Sequence, residues 1–293
     1  MRHIILLTII LAIAAASLFG QNTGRYEDEV AKWREAHETG LRSDNGWLTL
    51  AGLFWLKEGT NTVGNGNEFD IRLTDSFAGE RFGEIDLLDG RARLKVEEGI
   101  EAFNGDKRVT SAELDSDEGQ KPTVIRTGSQ TFYLIKRGER LGIRLKDKQS
   151  SVLRNFSGLH WFPVDSGLRV VASFEKFDRP QEVLVPNVLG GTFKYESPGV
   201  LRFRLGGSEY TLQPVSEGEN LFIIFRDETS RSETYPAGRF LYTAKPVNGK
   251  VVLDFNKAEN PPCAFTPFAT CPLPPRQNRL KVAIRGGEKR FHK

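Results

Sequence analysis

Apolar residues recur at helical spacing near the start of the chain, and the residues between them are mostly charged or polar. Such spacing predicts one face of an amphipathic α-helix within an N-terminal helical segment, residues 21–57. Acidic residues at 27–29 would lie in its first turn, where the helix dipole favours negative charge. The apolar run at 47–56 predicts a short strand and one buried helical turn. The repeating positions of the helix are Tyr26, Val30, Trp33, His37 and Leu41.

From residue 58 onward the pattern changes, and apolar and polar residues alternate in short runs separated by glycine, aspartate and asparagine. This alternation predicts the strands of an antiparallel sandwich. In the first half the runs cover 69–73, 81–87, 92–96, 123–126, 131–136 and 141–146. In the second half they cover 169–174, 182–185, 192–195, 200–205, 209–213, 221–226, 239–243, 251–255 and 280–284.

Two dipeptides predict two-residue hairpin loops, Gly206–Gly207 and Asn248–Gly249, because both positions of such a loop favour a positive φ. The second hairpin would bring Arg239 close to Asp254 or Asn256 on the next strand.

The alternation is interrupted near 150–162, which predicts a boundary without a long linker. We therefore expect a mainly β protein in which antiparallel, sandwich- or barrel-like halves pack together after the N-terminal amphipathic helix. The expected parts are a β-sandwich-like subdomain at 58–150 and a C-terminal β subdomain with a Pro/Cys-rich loop at 151–293.

The first twenty residues have the organisation of a secretory signal peptide: a short positive start, an apolar run at 4–16 and small residues before Gln21. A membrane-spanning helix needs roughly 20 apolar residues, and this run is shorter. The alternative is an uncleaved N-terminal anchor. The pattern favours an exported protein, periplasmic or secreted, with no membrane span once residues 1–20 are removed.

The charges are nearly balanced and are spread along the chain. The 41 basic and 38 acidic residues give a formal net charge of +3, and no long run of like charges occurs. Nucleic acid is therefore not an expected partner. A length of 293 residues is sufficient for one large core or two modest ones.

Familiar catalytic and cofactor motifs are absent from the sequence. It contains no G-x-S-x-G elbow, P-loop or closely spaced histidine pair, so neither a cofactor nor a metal is expected. The acidic residues 115–119 are typical of a solvated turn rather than a calcium loop. His160 could act as a general base, although a packed histidine is the simpler interpretation.

The segment 253–288 combines both cysteines with six of the fourteen prolines. Cys263 and Cys271 are eight residues apart and have prolines outside both, which predicts a small loop closed by one disulfide. A redox pair is the alternative, but the C-x-x-C spacing that lowers a thiol pKa is missing.

Polar and aromatic side chains around this loop are the candidates for function. A non-catalytic module would bind a small molecule, glycan or peptide through rigid aromatic and polar groups. In the alternative, a hydrolase, Asp254 or Glu288 would be the general acid or base, and Arg239 with Asn256 would stabilise charge. A third interpretation is that the polar groups only brace the loop. The ligand-binding candidates are Tyr235, Arg239, Tyr242, Asp254, Asn256, Asn260, Phe265, Phe268 and Asn278.

Several stretches of the chain are distinctive enough to indicate a family. Those within 225–289 are FRDETS, TYPAGRFLY, LDFNKAENPPCAFTPFATCPLPPRQNRL and AIRGGEK. Earlier ones are GWL at 46–48, IKR at 135–137 and GLHWFP at 158–163. With these motifs the chain resembles the domain-of-unknown-function family DUF1684 over most of its mature length. The resemblance implies no mechanism, because the family has no assigned function.

Overall fold

A computed structural model of the protein describes residues 24–119 and 121–291, and the predicted signal peptide lies outside this range. The predicted N-terminal helix, α1, covers residues 24–42. Val30 and Leu41 are buried on it, and Tyr26, Trp33 and His37 are half-buried. Among the described residues, no helix is both long enough and apolar enough to cross a membrane.

A second helix, α2, consists of a single turn, Ser151–Arg154, and begins with a hydrogen bond from the Leu153 N–H to the Ser150 hydroxyl. The remaining helical residues of the described chain form short 3₁₀ turns. These cover Trp47–Thr49, Asp117–Gly119, Ser166–Leu168, Glu228–Arg231, Phe255–Lys257, Pro262–Ala264 and Arg276–Asn278.

The protein is mainly β, as predicted, and its strands pair antiparallel except for β2 with β3. The first half contains β1 (Leu50–Trp55), β2 (Gly59–Gly64), β3 (Ile71–Arg72), β4 (Arg81–Leu88), β5 (Arg91–Val96), β6 (Phe103–Asn104), β7 (Lys107–Arg108), β8 (Ser111–Leu114), β9 (Val124–Thr127), β10 (Gln130–Arg137) and β11 (Arg140–Asp147). The second half contains β12 (Arg169–Pro186), β13 (Thr192–Leu205), β14 (Ser208–Leu212), β15 (Val215–Glu217), β16 (Asn220–Phe225), β17 (Arg239–Ala244) and β18 (Lys250–Asp254).

The strands of the first half form two sheets around one apolar core. One sheet has the order β1-β11-β10-β9-β6-β7 and the other β3-β2-β4-β5-β8. The alternation in β5 explains its orientation, because every second side chain of Arg91–Val96 is buried. The shared core contains Phe82, Ile85, Leu94, Phe132, Ile143 and Leu145, and burying each such side chain contributes roughly 1.5–3 kcal/mol.

The strands of the second half form a four-stranded sheet, β14-β13-β12-β18, and a three-stranded sheet, β15-β16-β17. The central strand β16 is buried from Leu221 to Phe225, in agreement with its uninterrupted apolar sequence. Side chains from both sheets meet in one core, including Ala172, Leu201, Phe203, Ile223, Leu241 and Leu253.

The two predicted hairpin turns are present, but only one joins strands that pair along their length. Gly206 and Gly207 connect β13 to β14, with Leu205 opposite Ser208. Asn248 and Gly249 also have positive φ values of 50° and 69°, and Val247 pairs with Lys250. Beyond that bridge the strands separate, because β17 pairs with β16 whereas β18 pairs with β12.

The predicted strand at 280–284 is wrong, since these residues form no strand. Leu280 instead donates its N–H to the Arg226 carbonyl, and Ile284 donates to a side chain, Asp227. From Phe255 to residue 291 the chain has only 3₁₀ turns and isolated bridges, so its backbone groups are satisfied partly by side chains and partly by isolated backbone hydrogen bonds. This C-terminal segment (residues 255–291) lies against both β halves and α1 and supplies much of the site described next.

Candidate functional site

A cavity of about 560 Å³ lies where α1, both β halves and the C-terminal segment meet. Helix α1 contributes His37 and Leu41, and the β10–β11 hairpin contributes Arg137 and Arg144. The second β half contributes residues 193–195 on β13 and side chains of the sheet β15-β16-β17, namely Glu217, Phe222, Phe240 and Tyr242. The C-terminal segment contributes Glu259, Asn260, Pro262, Phe265 and residues 269–272. The volume of the cavity lies within the range of small-molecule sites.

One side of the cavity carries two guanidinium groups. We call this side the basic wall, and it consists of Arg137, Arg144 and the threonine between them, Thr270. Both arginines donate to the Thr270 hydroxyl, Arg137 from Nε and Arg144 from Nη2, each at 3.2 Å. Arg137 is also held by the carboxylate of Asp117, with Nη2 2.8 Å from Oδ2. The predicted solvated turn at 115–119 therefore includes one carboxylate that orients an arginine of the cavity.

Arg144 differs from Arg137 because no carboxylate pairs with it among the described residues. Its exposed fraction is only 4%, and its Nε has no hydrogen-bond partner. Its guanidinium carbon lies 5.6 Å from the Trp47 ring centroid, which stabilises the cation only weakly. A buried cation without an anion is costly, so Arg144 is a strong indicator of a ligand.

Aromatic rings form another face of the cavity. Phe222 stacks on Tyr242 with ring centroids 4.8 Å apart and an interplanar angle of 12°. Phe222 also meets Phe240 edge to face at 4.8 Å. Trp47, Phe193 and Tyr195 line the same cavity. Rings held in this way offer apolar contact area at low entropic cost.

The remaining side, the acidic wall, consists of His37, Glu259 and Asn260, with Glu288 behind His37. The His37 Nε2 lies 2.8 Å from Oε1 of Glu288, and its Nδ1 lies 3.3 Å from Oε2 of Glu259. Neither His37 Nε2 nor Glu288 Oε1 makes a well-aligned hydrogen bond, so proximity of charge holds this contact. Trp33 stacks on the His37 ring at 5.2 Å and fixes its orientation.

The pKa values of the three titratable groups in the acidic wall are all raised. Burial raises the pKa of Glu259 to about 7; His37 opposes this, whereas Glu288 and Glu217 add to it. Burial also raises the pKa of the Glu288 carboxyl, against the effect of His37. Burial acts to lower the pKa of His37, but the neighbouring glutamates outweigh it and the pKa is raised. All three shifts favour the protonated forms of these groups.

Arg239, a predicted site residue, is buried in a structural ion pair and not in the cavity. We expected it to reach Asp254 or Asn256, but its Nη2 lies 2.8 Å from Oδ2 of Asp227. It also donates to the carbonyls of Ile284 and Gly286. The expected partner is replaced because β17 and β18 belong to different sheets.

Asp254 and Asn256 attach α1 to the second β half. The Tyr26 hydroxyl donates to Asp254 Oδ1 at 2.7 Å and accepts from Asn256 Nδ2 at 2.9 Å. The Asn256 amide also exchanges hydrogen bonds with the backbone of Asp165. Neither residue lines the cavity.

Of the other predicted ligand-binding residues, Tyr242, Asn260 and Phe265 line the cavity. Asn278 is buried and donates to the carbonyls of Gln213 and Ile224, so it braces the C-terminal segment. The Tyr235 hydroxyl donates to the Cys263 carbonyl at 3.1 Å.

Phe268 and His160 lie away from the cavity. Phe268 lines a separate pocket of about 420 Å³ beside Thr266 and Asp147. His160 is exposed, and its carbonyl accepts from the Lys289 N–H at 2.8 Å.

The predicted disulfide is not formed in the structure, where Cys263 and Cys271 are free thiols. They are nevertheless adjacent, because the Cys263 N–H donates to the Cys271 sulfur at 3.1 Å. Cys263 lies in the 3₁₀ turn Pro262–Ala264, which directs this N–H towards the partner sulfur. The neighbouring Cys263 side chain, followed by burial, raises the pKa of Cys271.

Sequence reasoning missed the residues that carry most of the site's chemistry. His37 was interpreted only as part of the helical stripe, and Glu259 lies between predicted candidates. Arg144 alternates with Ile143 and Leu145, so it lies on the other face of β11 from the core. Its burial there depends on Thr270 and Trp47, which no local pattern indicates.

Comparison with known proteins found a family model that matches the second half of the chain and a solved structure that is similar to part of it. A family model described as "Protein of unknown function (DUF1684)" matches residues 154–289, a range that contains Glu259, Thr270 and Glu288. A solved structure, the solution NMR structure of an uncharacterized protein of Haloarcula marismortui, is similar at 31% sequence identity with a TM-score of 0.40. The match covers 46% of this chain and 78% of that chain. No curated protein matches the chain significantly.

The Arg239 ion pair generates a prediction about stability. We expect Arg239→Met to lower the free energy of unfolding by about 3–5 kcal/mol, because it leaves Asp227 buried without its cation. The matched control is Arg202→Met, which removes exposed pairs with Glu175 and Glu209 and should lower the free energy of unfolding far less, because solvent screens these charges. Urea unfolding of both variants measures the difference, and equal losses would contradict the structural role.

The acidic wall generates a prediction about pH. The folded-state pKa of Glu259 is about 7 against an ordinary value of 4.5, so the folded protein binds more protons than the unfolded chain between these values. Its stability therefore falls as pH rises through this window. The raised pKa of His37 continues the fall above 6.5, because the stabilising proton is lost as pH passes the folded-state pKa.

From about pH 5 to pH 8 we expect the acidic wall to reduce the free energy of unfolding by roughly 1–3 kcal/mol. Glu259→Gln should flatten this dependence, and the exposed control Glu113→Gln should leave it unchanged. Urea unfolding at several pH values tests this expectation. An unaltered slope in Glu259→Gln would show that the carboxyl does not titrate as described.

Proposed function

We propose that the protein is a non-catalytic binding module for a small anionic molecule with an apolar or aromatic part. Its residues 154–289 match the DUF1684 family of proteins of unknown function. The binding site is the cavity between α1, the β10–β11 hairpin and the C-terminal segment. The single observation that carries this proposal is the buried, unpaired guanidinium of Arg144.

The basic wall supports an anionic ligand because its two arginines have different roles. Arg137 is neutralised by Asp117 and shares the Thr270 hydroxyl with Arg144. It therefore positions this hydroxyl and closes one side of the cavity. Arg144 retains a full positive charge without an anion among the described residues. A carboxylate or phosphate placed beside it would supply the missing charge and accept charge-assisted hydrogen bonds.

The aromatic face supports a ligand with an apolar or ring-shaped part. Tyr242 and Phe265 were predicted to contact ligand, and both line the cavity together with Trp47 and Tyr195. Tyr242 is 42% exposed although its ring stacks on Phe222, so one face of the ring remains open. Such half-covered rings bind flat ligands by stacking.

The hydrolase alternative receives less support from the geometry. Asp254, Arg239 and Asn256 make structural hydrogen bonds away from the cavity, and Glu288 contacts it only through His37. A general acid or base has to lie within hydrogen-bond reach of the reacting group. Among the residues of that hypothesis, none meets this condition directly.

Export and the disulfide remain part of the proposal. We infer that residues 1–20 are a signal peptide and that the protein works in the periplasm or outside the cell. The adjacent Cys263 and Cys271 thiols would then form the bridge that closes the loop, because oxidising compartments favour disulfides. Since Cys271 lines the cavity, the bridge would stabilise one side of the binding site.

Anion binding can be measured through the fluorescence of Trp47, which lies in the cavity wall beside Arg144. We expect phenyl phosphate and benzoate to give saturable changes, whereas phenol and benzyl alcohol should not. Arg144→Gln should weaken anion binding by about tenfold or more, because it removes a buried charge-assisted contact. The control Arg204→Gln, on the exposed face of β13, should bind normally.

Equal affinity for the neutral compounds, or an Arg144→Gln variant that binds anions as well as the wild type does, would rule out the proposed site. Substituting Trp47 by Phe confirms that the fluorescence change reports this cavity.

Export and disulfide formation are tested together by expressing the full chain in bacteria and recovering the periplasmic fraction. We expect a mature protein shortened by about twenty residues. Its mass should rise by about two units on reduction, as for one disulfide. A full-length protein retained in the cytoplasmic fraction would contradict export, and an unchanged mass would contradict the bridge.

A further inference from the structure

We propose that the ligand of this cavity is a zwitterion, with its anionic group beside Arg144 and an ammonium group bound at the acidic wall by Glu259 and Asn260. This inference rests on the proposed binding function and assigns the second half of the ligand. It follows from hydrogen-bond acceptors and from charges in the acidic wall that lack partners.

The first observation is an orphaned acceptor. Asn260 lines the cavity, is 3% exposed, and has an Oδ1 without a hydrogen-bond partner. Its Nδ2 donates to the Lys289 carbonyl at 2.9 Å, which fixes the orientation of the amide and identifies the free atom as the oxygen. A buried carbonyl oxygen without a donor is costly, so this position calls for a ligand N–H or O–H.

The second observation is an excess of carboxylates over cations. Glu259 and Glu288 both lie against His37, which can supply one positive charge at most. The backbone N–H of Asn260 donates to Glu288 Oε2 at 3.1 Å, whereas the Glu259 side chain has only the His37 contact among the described residues. Glu259 is also the glutamate of this pair that lines the cavity, with 18% of its side chain exposed.

An ammonium group meets both requirements at once. It carries a positive charge for Glu259 and three N–H donors, one of which can reach the Asn260 amide oxygen. A hydroxyl group could satisfy Asn260 but would leave the carboxylates without a cation. Burial, with His37 opposing it, raises the pKa of Glu259 to about 7, and a cation placed beside this carboxyl would favour its ionised form.

Arg144 and the acidic wall together make the cavity complementary to a dipolar molecule. Each wall lacks the charge that the other end of the ligand would bring, and the aromatic face between β13 and β17 contacts the connecting atoms. Charge complementarity of this kind discriminates against ligands that carry only one of the two charges.

The test uses a series of linear ω-amino carboxylates, from glycine to 8-aminooctanoate, with alkyl carboxylates and alkylamines of the same lengths. Calorimetric titration of the whole mature protein gives the affinities. We expect one chain length to bind about tenfold or more tighter than both single-charge analogues, because only it contacts both walls.

Two substitutions assign the two ends of the ligand. Glu259→Gln should abolish the gain from the amino group, whereas alkyl carboxylates should still bind and should not bind more weakly than to the wild type. Arg144→Gln should weaken both the carboxylates and the zwitterion. Glu113→Gln, at an exposed position, is the matched control for loss of a carboxylate and should behave like the wild type.

Binding should also release a proton below about pH 7, because an ammonium group beside Glu259 lowers the pKa of that carboxyl. The gain from the amino group should therefore increase from about pH 6 to pH 8. The other charged groups acting on Glu259 are His37 on α1, Glu288 in the C-terminal segment and Glu217 at the end of β15. Deprotonation of His37 acts in the same direction, since it removes a competing positive charge.

The outcomes separate this inference from the proposed function. One outcome is that alkyl carboxylates bind through Arg144 while an added amino group improves the affinity at no chain length. In that case the proposal of a zwitterionic ligand is wrong and the proposal of an anion site remains. If the amino group still improves the affinity in the Glu259→Gln variant, the assignment of the ammonium group to Glu259 is also wrong. If neither carboxylates nor zwitterions bind, both the anion site and the zwitterion are wrong.

Discussion

The buried ion pair between Arg239 and Asp227 is the interaction on which the rest of the structure depends. The C-terminal segment has no strand of its own, so part of its backbone hydrogen bonding comes from side chains rather than from a ladder. Arg239 donates to the carbonyls of Ile284 and Gly286, and Asp227 accepts from the Ile284 N–H. This arrangement fixes the approach of the chain to Glu288 and thereby places the acidic wall.

The cavity belongs to no single part of the protein, because its walls come from three parts: α1, the β10–β11 hairpin, and the second β half with its C-terminal segment. Docking of α1 through Tyr26 brings His37 between two glutamates that would otherwise repel each other. Packing of the C-terminal segment on β11 covers Arg144. The site therefore exists only when all three parts are assembled.

Unpaired charges in this cavity oppose stability, and their presence has to be explained by something other than folding. Arg239 is as buried as Arg144, yet it has a carboxylate and two carbonyl partners, whereas Arg144 has one hydroxyl. The two carboxylates differ in the same way, because Asp227 pairs with Arg239, whereas Glu259 contacts only His37 among the described residues. Proteins accept such local costs where a ligand supplies the missing partner, and this contrast supports the proposal of a ligand at Arg144.

The sequence by itself determined the local elements, because helix α1, the alternating strands such as β5 and the Gly206–Gly207 turn depend on spacing and backbone preference within a few residues. It also singled out Tyr242, Asn260 and Phe265, which line the cavity. The partners of charged groups were decided by tertiary structure alone. Arg239 meets Asp227 and not Asp254 because β17 and β18 separate after a shared turn into different sheets. Long-range pairing depends on how sheets pack, and no pattern along one strand contains that information.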